Sequence, residues 1–282
     1  MNYRHAFHAG NFADVVKHAV LARIITHLKE KPAAFRVIDT HAGAGLYDLS
    51  GPEASRTGEW RAGIGRLLAA ELAPDMRALL GPYLDAVAAL NPGRDMKVYP
   101  GSPALARSLL RDQDRLVVCE REPDAAHALA AFVRGDPRAK AVEIDGYVAL
   151  NAYVPPKERR GLVLIDPPYE QPGEFERLAQ ALAAAHRKWP TGIYALWYPI
   201  KNLRETAAFA RRIAASGIAR ALRAELTLAR ADSERLGGSG LIVVNPPWRL
   251  EEELSVLLPA LSRALGAAPA GATRLDWLVP PI

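Results

Sequence analysis

Residues 161–169 read Gly161-Leu162-Val163-Leu164-Ile165-Asp166-Pro167-Pro168-Tyr169. The apolar run is too short for a helix and has the length of a buried parallel strand, and Asp-Pro-Pro-Tyr stops it abruptly. The tetrapeptide has a chemical reading. The Asp166 carboxylate and the Pro167 carbonyl can both accept hydrogen bonds from one exocyclic amino group. That draws the nitrogen lone pair out of conjugation with a heterocycle and frees it to attack an electrophilic methyl. The two prolines fix φ and stiffen the turn, so the acceptors stand ready before a substrate arrives. Tyr169 offers a ring face on which an extruded base can stack. The competing reading is a strand that ends in an ordinary proline turn, and the motifs upstream decide between the two.

Arg36-Val37-Ile38-Asp39 is the first predicted buried strand. It empties into Thr40-His41-Ala42-Gly43-Ala44-Gly45, a small-residue loop at a strand's carboxyl end, where open α/β sheets bind ligands. Glycines such as Gly43 let the backbone come close to a nucleoside-like cofactor, although His41 stands where a nucleotide loop usually has its first glycine. Arg115 to Glu120 and Ala141 to Gly146 are two further strands, each ending in an acid. Glu120 is placed to grip ribose hydroxyls and Asp145 to accept from an adenine amino group. Either one alone reads as well as a solvated strand-end carboxylate. In order, the four strand ends predict an α/β protein with the Rossmann-like fold of class I S-adenosylmethionine-dependent methyltransferases, with S-adenosylmethionine as cofactor. No Walker-type Gly-Lys-Ser/Thr is present, which argues against triphosphate chemistry.

A helix is expected not long after the first loop, yet Leu46 to Pro100 intervenes, with breaks at Gly51-Pro52, Pro74, Gly81-Pro82 and Asn91-Pro92-Gly93. Helical patterns lie between them at about 58–71 and 75–90. Gly101-Ser102-Pro103 then opens a helix, with Ser102 as N-cap and proline in the first turn. Residues 46–100 are therefore expected to form a small helical insertion in a methyltransferase domain made of 1–45 and 101–282. At the front, Asn11 or Asp14 caps a helix that Pro32 stops. Beyond Asp166 the pattern alternates: helix 174–187, strand 192–199, helix 201–216, strand 221–229, strand 240–244, helix 251–265, strand 274–279. Asn245-Pro246-Pro247-Trp248 echoes the reactive tetrapeptide. The strand before it is expected to run antiparallel, away from the cofactor face, so it is read as a structural turn.

The 282 residues are half hydrophobic and carry a formal charge of +5, enough for a large core and a lean toward a polyanionic partner. Candidate phosphate contacts are Arg56, Arg61, Arg66, Lys157, Arg159, Arg160, Arg230 and Arg235, each equally an ordinary surface charge. The sole cysteine, Cys119, excludes a disulfide framework and a cysteine-based zinc site and suits a reducing cytoplasm. No stretch has the length of a membrane span or the form of a leader, so a cytoplasmic location and no membrane contact are expected. His5, His8 and His18 could suggest a metal site, but they lack a helical i, i+4 pair and cysteine partners. Hydrogen-bonding roles without a metal are expected.

Together these residues resemble the bacterial 23S ribosomal RNA adenine-N6 methyltransferase family of the RlmJ type over essentially the whole length. The resemblance rests on Tyr3-Arg4-His5, Phe7-His8-Ala9-Gly10-Asn11, Asp14, Lys17-His18, the Asp39 to Gly45 loop and Tyr99-Pro100-Gly101-Ser102-Pro103. It continues through Arg159-Arg160-Gly161, Asp166 to Tyr169, Gly192 to Pro199 and Asn245 to Trp248. It implies a monomer with no obligate protein partner that methylates N6 of one adenine in 23S ribosomal RNA before the ribosome is assembled. It implies that His18, His41, Ser102, Glu120, Asp145, Gly146 and Asp166 line the cofactor site. Asp166 would be the proton acceptor, and Tyr3 would contact the target nucleotide. His5 would hydrogen-bond near the flipped base, and Lys17 would steady the cofactor's carboxylate or an RNA phosphate. The insertion departs most from the family pattern. Rival readings are an adenine-N6 methyltransferase of DNA, an N-methyltransferase of glutamine or small molecules, and a non-catalytic RNA-binding protein on the same scaffold.

Overall fold

The computed structural model describes residues 4–93, 95–228, 236–266 and 273–281. In chain order the strands are β1 (Arg36–Asp39), the short pair β2 (Leu46–Asp48) and β3 (Val98–Pro100), then β4 (Arg115–Glu120), β5 (Ala139–Glu143) and β6 (Gly161–Ile165). β7 (Ile193–Ile200), β8 (Ala221–Thr227), β9 (Gly238–Val244) and β10 (Thr273–Val279) follow. Apart from the β2–β3 pair they form one eight-stranded sheet in the order β10-β8-β9-β7-β6-β1-β4-β5. The five strands from β7 to β5 are mutually parallel, and β9 enters antiparallel to β7. β8 and β10 then alternate. This is the Rossmann-like order of class I methyltransferases, with β10 as an added edge strand. β1 has β4 on one side and β6 on the other, so the crevice outside their carboxyl ends is the topological switch point.

β6 is buried at every position, as a strand covered on both faces must be. Leu162 and Leu164 join a core with helices α1 (Phe12–Lys29), α4 (Pro74–Leu90) and α10 (Leu250–Ala264). Val163 and Ile165 point the other way, into a core with α8 (Glu174–Lys188) and α9 (Leu203–Ala214). Asn11, not Asp14, caps α1: its side chain accepts from Ala13 N and Asp14 N. α1 is buried on nearly all sides, and Arg23 on it donates two hydrogen bonds to Glu253 of α10, at 2.8 and 2.6 Å. His27 reaches the same carboxylate at 3.0 Å.

Residues 46–100 leave and rejoin the domain side by side, because β2 and β3 pair antiparallel with Leu46 opposite Pro100. The pattern at 58–71 does not form one helix. α2 (Pro52–Thr57) ends at Gly58, a π-helical turn spans Arg61–Gly65, and only Arg66–Ala69 is the short α3. The cause is a close backbone crossing: a Cβ on Gly63 would lie 2.1 Å from Gly10 O, while Ile64 N donates to that same oxygen at 2.9 Å. Nearby, Thr57 Oγ1 donates to Phe7 O at 2.5 Å, and Glu59 accepts from Asn11 Nδ2 at 3.0 Å. These contacts bind the segment at 46–100 to the histidine-rich front of the chain. Its residues Ile64, Leu67 and Tyr83 share one apolar core with Val16, Val20 and Ile24 of α1.

β9 runs against β7, so its carboxyl end meets the amino end of β7. There Asn245 Nδ2 donates to Pro190 O and Gly192 O, both at 2.8 Å, and Trp248 is 78% exposed. Asp166 stands at the opposite end of the sheet.

Candidate active site

The carboxyl ends of β1, β4, β5 and β6 open into a cleft of about 630 Å³. Its walls include His5, Lys17, His18, His41, Gly43, Ser102, Glu120, Asp145, Gly146 and Asp166. Tyr3 lies outside the described residues.

Glu120 is fixed by backbone donors. Its Oε1 accepts from Arg121 N at 2.7 Å and Glu122 N at 2.8 Å, and its Oε2 accepts from Gly43 N at 2.8 Å. The loop after β1 is thereby tied to the end of β4. Asp145 caps α7 (Gly146–Tyr153), accepting from Tyr147 N at 2.9 Å and Val148 N at 3.2 Å, with Arg177 3.4 Å away. Burial alone would raise its carboxyl, but the helix N–H groups and Arg177 outweigh burial and hold it below the ordinary range. Gly146 permits this junction, since a Cβ there would lie 2.4 Å from Thr40 O and 2.5 Å from the His41 ring. Gly146→Ala is expected to push α7 off the β1 loop at a cost of about 1–3 kcal/mol. A denaturation midpoint equal to that of the wild type would contradict this.

Ser102 does not cap its helix. Gly101 occupies the cap position of α5 (Ser102–Leu109), and Ser102 Oγ donates instead to Asp39 Oδ2 at 2.6 Å. Burial pushes Asp39 up to about 7 despite that bond. Burial also lowers His41 to about 4 and His18 to about 3, so both rings are neutral at physiological pH.

The Asp166 end of the cleft carries a buried chain of charges. Lys17 Nζ sits between Asp14 Oδ1, at 2.9 Å, and Asp166 Oδ2. Asp14 Oδ2 accepts from His5 Nε2 and from Gly10 N, each at 2.9 Å. Burial opposes both charges, but the two carboxylates hold the Lys17 ammonium well above its usual value. His5 and Lys17 in turn hold Asp14 well below the carboxylate range. Asp166 thus keeps Oδ2 on Lys17, and among the described residues no hydrogen bond engages its Oδ1.

Two expected residues are not among the side chains that line the cleft. Pro167 is buried, and its neighbour Pro168 lines the cleft. Tyr169 turns into the second core: its hydroxyl donates to Trp197 O at 2.8 Å and its ring lies 5.0 Å from that of Phe175. A buried phenol needs an acceptor, and the strand carbonyl supplies it. The Tyr169 ring is half-buried, packed between Phe175 and Trp197. Lys157, Arg159 and Arg160 precede β6, at the end of the sheet away from the cleft, and Arg160 donates to Ala33 O and Leu28 O. Arg66 donates to Leu265 O, Arg61 lies over the Trp60 ring, and Arg230 and Arg235 fall outside the described residues. Among the described residues, the arginines that line the cleft are Arg4, Arg121 and Arg177.

Sequence reading passed over Tyr47, Tyr147 and Arg177. Tyr47 Oη accepts from Ala44 N at 3.2 Å, and the Arg177 guanidinium lies 4.0 Å from the Tyr147 ring centroid. The three histidines diverge to Asp14, Glu59 and Tyr99, and no cluster suited to a metal ion occurs among the described residues. No described helix is long and apolar enough to cross a membrane.

Residues 32–279 match the family described as ribosomal RNA large subunit methyltransferase D, RlmJ. A protein of Escherichia coli called ribosomal RNA large subunit methyltransferase J is 42% identical over 282 residues, covering 99% of both chains. Its counterpart in Haemophilus influenzae is 38% identical over 283 residues with the same coverage. The crystal structure of a protein from Legionella pneumophila is similar in fold, with a TM-score of 0.86, 34% identity, and coverage of 96% of this chain and 97% of that one. A family match over most of the length, with relatives this similar from end to end, means that the chain belongs to the RlmJ family of ribosomal RNA large subunit methyltransferases.

Proposed function

We propose that this protein transfers a methyl group from S-adenosylmethionine to N6 of an adenine in protein-free 23S ribosomal RNA, acting as a monomer in the cytoplasm. One observation carries the reading beyond the family match. The Asp166 carboxylate, whose Oδ1 has no hydrogen-bond partner among the described residues, opens into the same cleft as the strand-end acids Glu120 and Asp145.

The residues present fit the cofactor. His18 is 1% exposed, and its Nε2 has no hydrogen-bond partner among the described residues although the side chain lines the cleft. A ligand acceptor completes it. Glu120 and Asp145 suit the ribose and adenine ends, and His41, Gly43 and Gly146 form the close-packed wall between them. Ser102 and His18 lie toward the amino-acid end. When bound, S-adenosylmethionine supplies an electrophilic methyl group.

Asp166 Oδ1 would accept a hydrogen bond from the adenine amino group and take the proton that becomes acidic as the nitrogen is alkylated. The Pro167 carbonyl is the second acceptor in this reading. Lys17 holds the other Asp166 oxygen, so the carboxylate has one orientation in which to meet the amine. His5 and Tyr3 belong to the segment that meets the target nucleotide, and the base must first leave its stack.

The test is transfer of a labelled methyl group to protein-free 23S ribosomal RNA and, separately, to duplex DNA, each digested to nucleosides. Label in N6-methyladenosine from the RNA alone is expected. Label from DNA alone would keep the chemistry and overturn the substrate. No label from either, with cofactor bound, would overturn the enzymatic reading.

A further inference from the structure

A chain of three side chains runs from the segment at 46–100 to the cleft wall. Tyr83 Oη, on α4, lies 2.9 Å from Tyr99 Oη, on β3, and Tyr99 Oη lies 2.7 Å from His18 Nδ1. Both tyrosines are fully buried, and the His18 ring stacks on that of Tyr99 at 5.5 Å between centroids.

Counting donors and acceptors gives this chain a direction. Among the described residues, Tyr99 is the only hydrogen-bond partner of the Tyr83 hydroxyl. A buried hydroxyl proton left without an acceptor is costly, whereas an unused lone pair on the same oxygen costs less. Tyr83 therefore donates to Tyr99. The Tyr99 oxygen, having accepted, has one proton left to give, and its only other partner among the described residues is His18 Nδ1. Nδ1 must then be the bare nitrogen. Burial keeps both phenols protonated and the imidazole neutral, so the single ring proton belongs on Nε2, the atom that lacks a partner beside the cleft.

We infer that Tyr99, which Tyr83 hydrogen-bonds from behind, is a positioning residue that locks His18 in the Nε2–H tautomer, presenting one fixed donor to the carboxylate at the amino-acid end of the bound cofactor. The location of that donor selects the carboxylate. His18 follows Lys17, whose ammonium touches Asp166, whereas Glu120 and Asp145 occupy the nucleoside end. The carboxylate half rests on the cofactor reading above, but the tautomer does not. Part of what the segment at 46–100 does is to set the proton of a residue it does not contain.

Nitrogen-resolved NMR of His18 in the full-length, ligand-free protein tests the tautomer directly. A pyridine-type Nδ1 and a pyrrole-type Nε2 are expected. The opposite pattern, or an imidazolium, overturns the proposal without any variant being made. Tyr99→Phe removes the donor to Nδ1, so the His18 signals should move toward a mixture of tautomers, whereas Tyr83→Phe leaves the Tyr99 proton no acceptor but Nδ1 and should leave them in place. Calorimetry with S-adenosylhomocysteine and with 5′-methylthioadenosine, which lacks the amino acid, tests the ligand half. Tyr99→Phe should weaken S-adenosylhomocysteine by about twofold, the cost of halving the binding-competent tautomer, and leave 5′-methylthioadenosine unchanged. Equal loss for both ligands would show a merely structural role, and no loss for either would show that the tautomer does not matter to binding. A wild-type protein that binds neither ligand would sink the cofactor reading, and with it the carboxylate assignment, whatever the tautomer.

Discussion

Asp166→Ala is expected to lower single-turnover methyl transfer by on the order of 10²–10⁴-fold, the range for loss of a positioned proton acceptor. Folding and cofactor affinity should largely survive. The substitution does not strand Lys17, whose ammonium keeps Asp14 Oδ1 at 2.9 Å. Nor does it touch the ends of β4 and β5, where Glu120 is held by the Gly43, Arg121 and Glu122 amides and Asp145 by α7. Asp166→Asn keeps an acceptor oxygen but cannot take the proton, so its rate should fall between the two. Calorimetry with S-adenosylhomocysteine separates binding from chemistry. Full activity in the alanine variant would remove Asp166 from the mechanism.

The second large effect lies far from the cleft. Glu253→Ala is expected to destabilise the protein by about 3–5 kcal/mol, because it leaves a buried guanidinium without its counter-charge. Arg23 is 8% exposed and Glu253 5%, and the pair is bidentate, with His27 on the same carboxylate. The control is the Arg212–Glu176 pair, about half exposed on both sides, whose removal should cost less than about 1 kcal/mol. Denaturant unfolding measures both, and equal losses would show that burial does not govern the difference. The pH dependence has a definite sign. Burial alone would raise Glu253, but Arg23 and His27 hold it below the ordinary carboxylate range. Its contribution is therefore complete above the unfolded-state value and is lost as the pH falls through the lower, folded-state value.

Much of the sheet is legible in the sequence because parallel strands buried on both faces must be apolar runs, and here each run ends in a chemically distinct residue. β1, β4 and β6 begin and end within a residue of where their patterns do. β2 and β3 leave no such trace. Each has three residues, and they are held by pairing with each other across about fifty residues of chain, not by a pattern of their own. The break in the 58–71 helix was equally hidden, because Gly63 answers to Gly10 O in another segment. In the site, the acids and small residues at strand ends carried the signal. Tyr169 did not: an aromatic beside a reactive turn can face either side, and the Trp197 carbonyl that draws its hydroxyl is invisible in one dimension. Arg177 carries no mark of its own inside its helix, and the Ser102 pattern is that of a cap, until the folded backbone brings Tyr147 and Asp39 beside them.

The bond between Arg23 and Glu253 joins residues 230 positions apart. At a synthesis rate of about 5–20 residues per second, α1 emerges roughly 10–50 s before the helix that neutralises it. During that interval a helix destined to be buried on nearly all sides has only part of its surroundings. Its early partners, the 46–100 segment and α5, can dock while translation continues, but the Arg23 side must wait. Of the described helices α1 is made early yet is among the last to be fully seated, and its wait exposes apolar surface to whatever holds nascent chains in the cell.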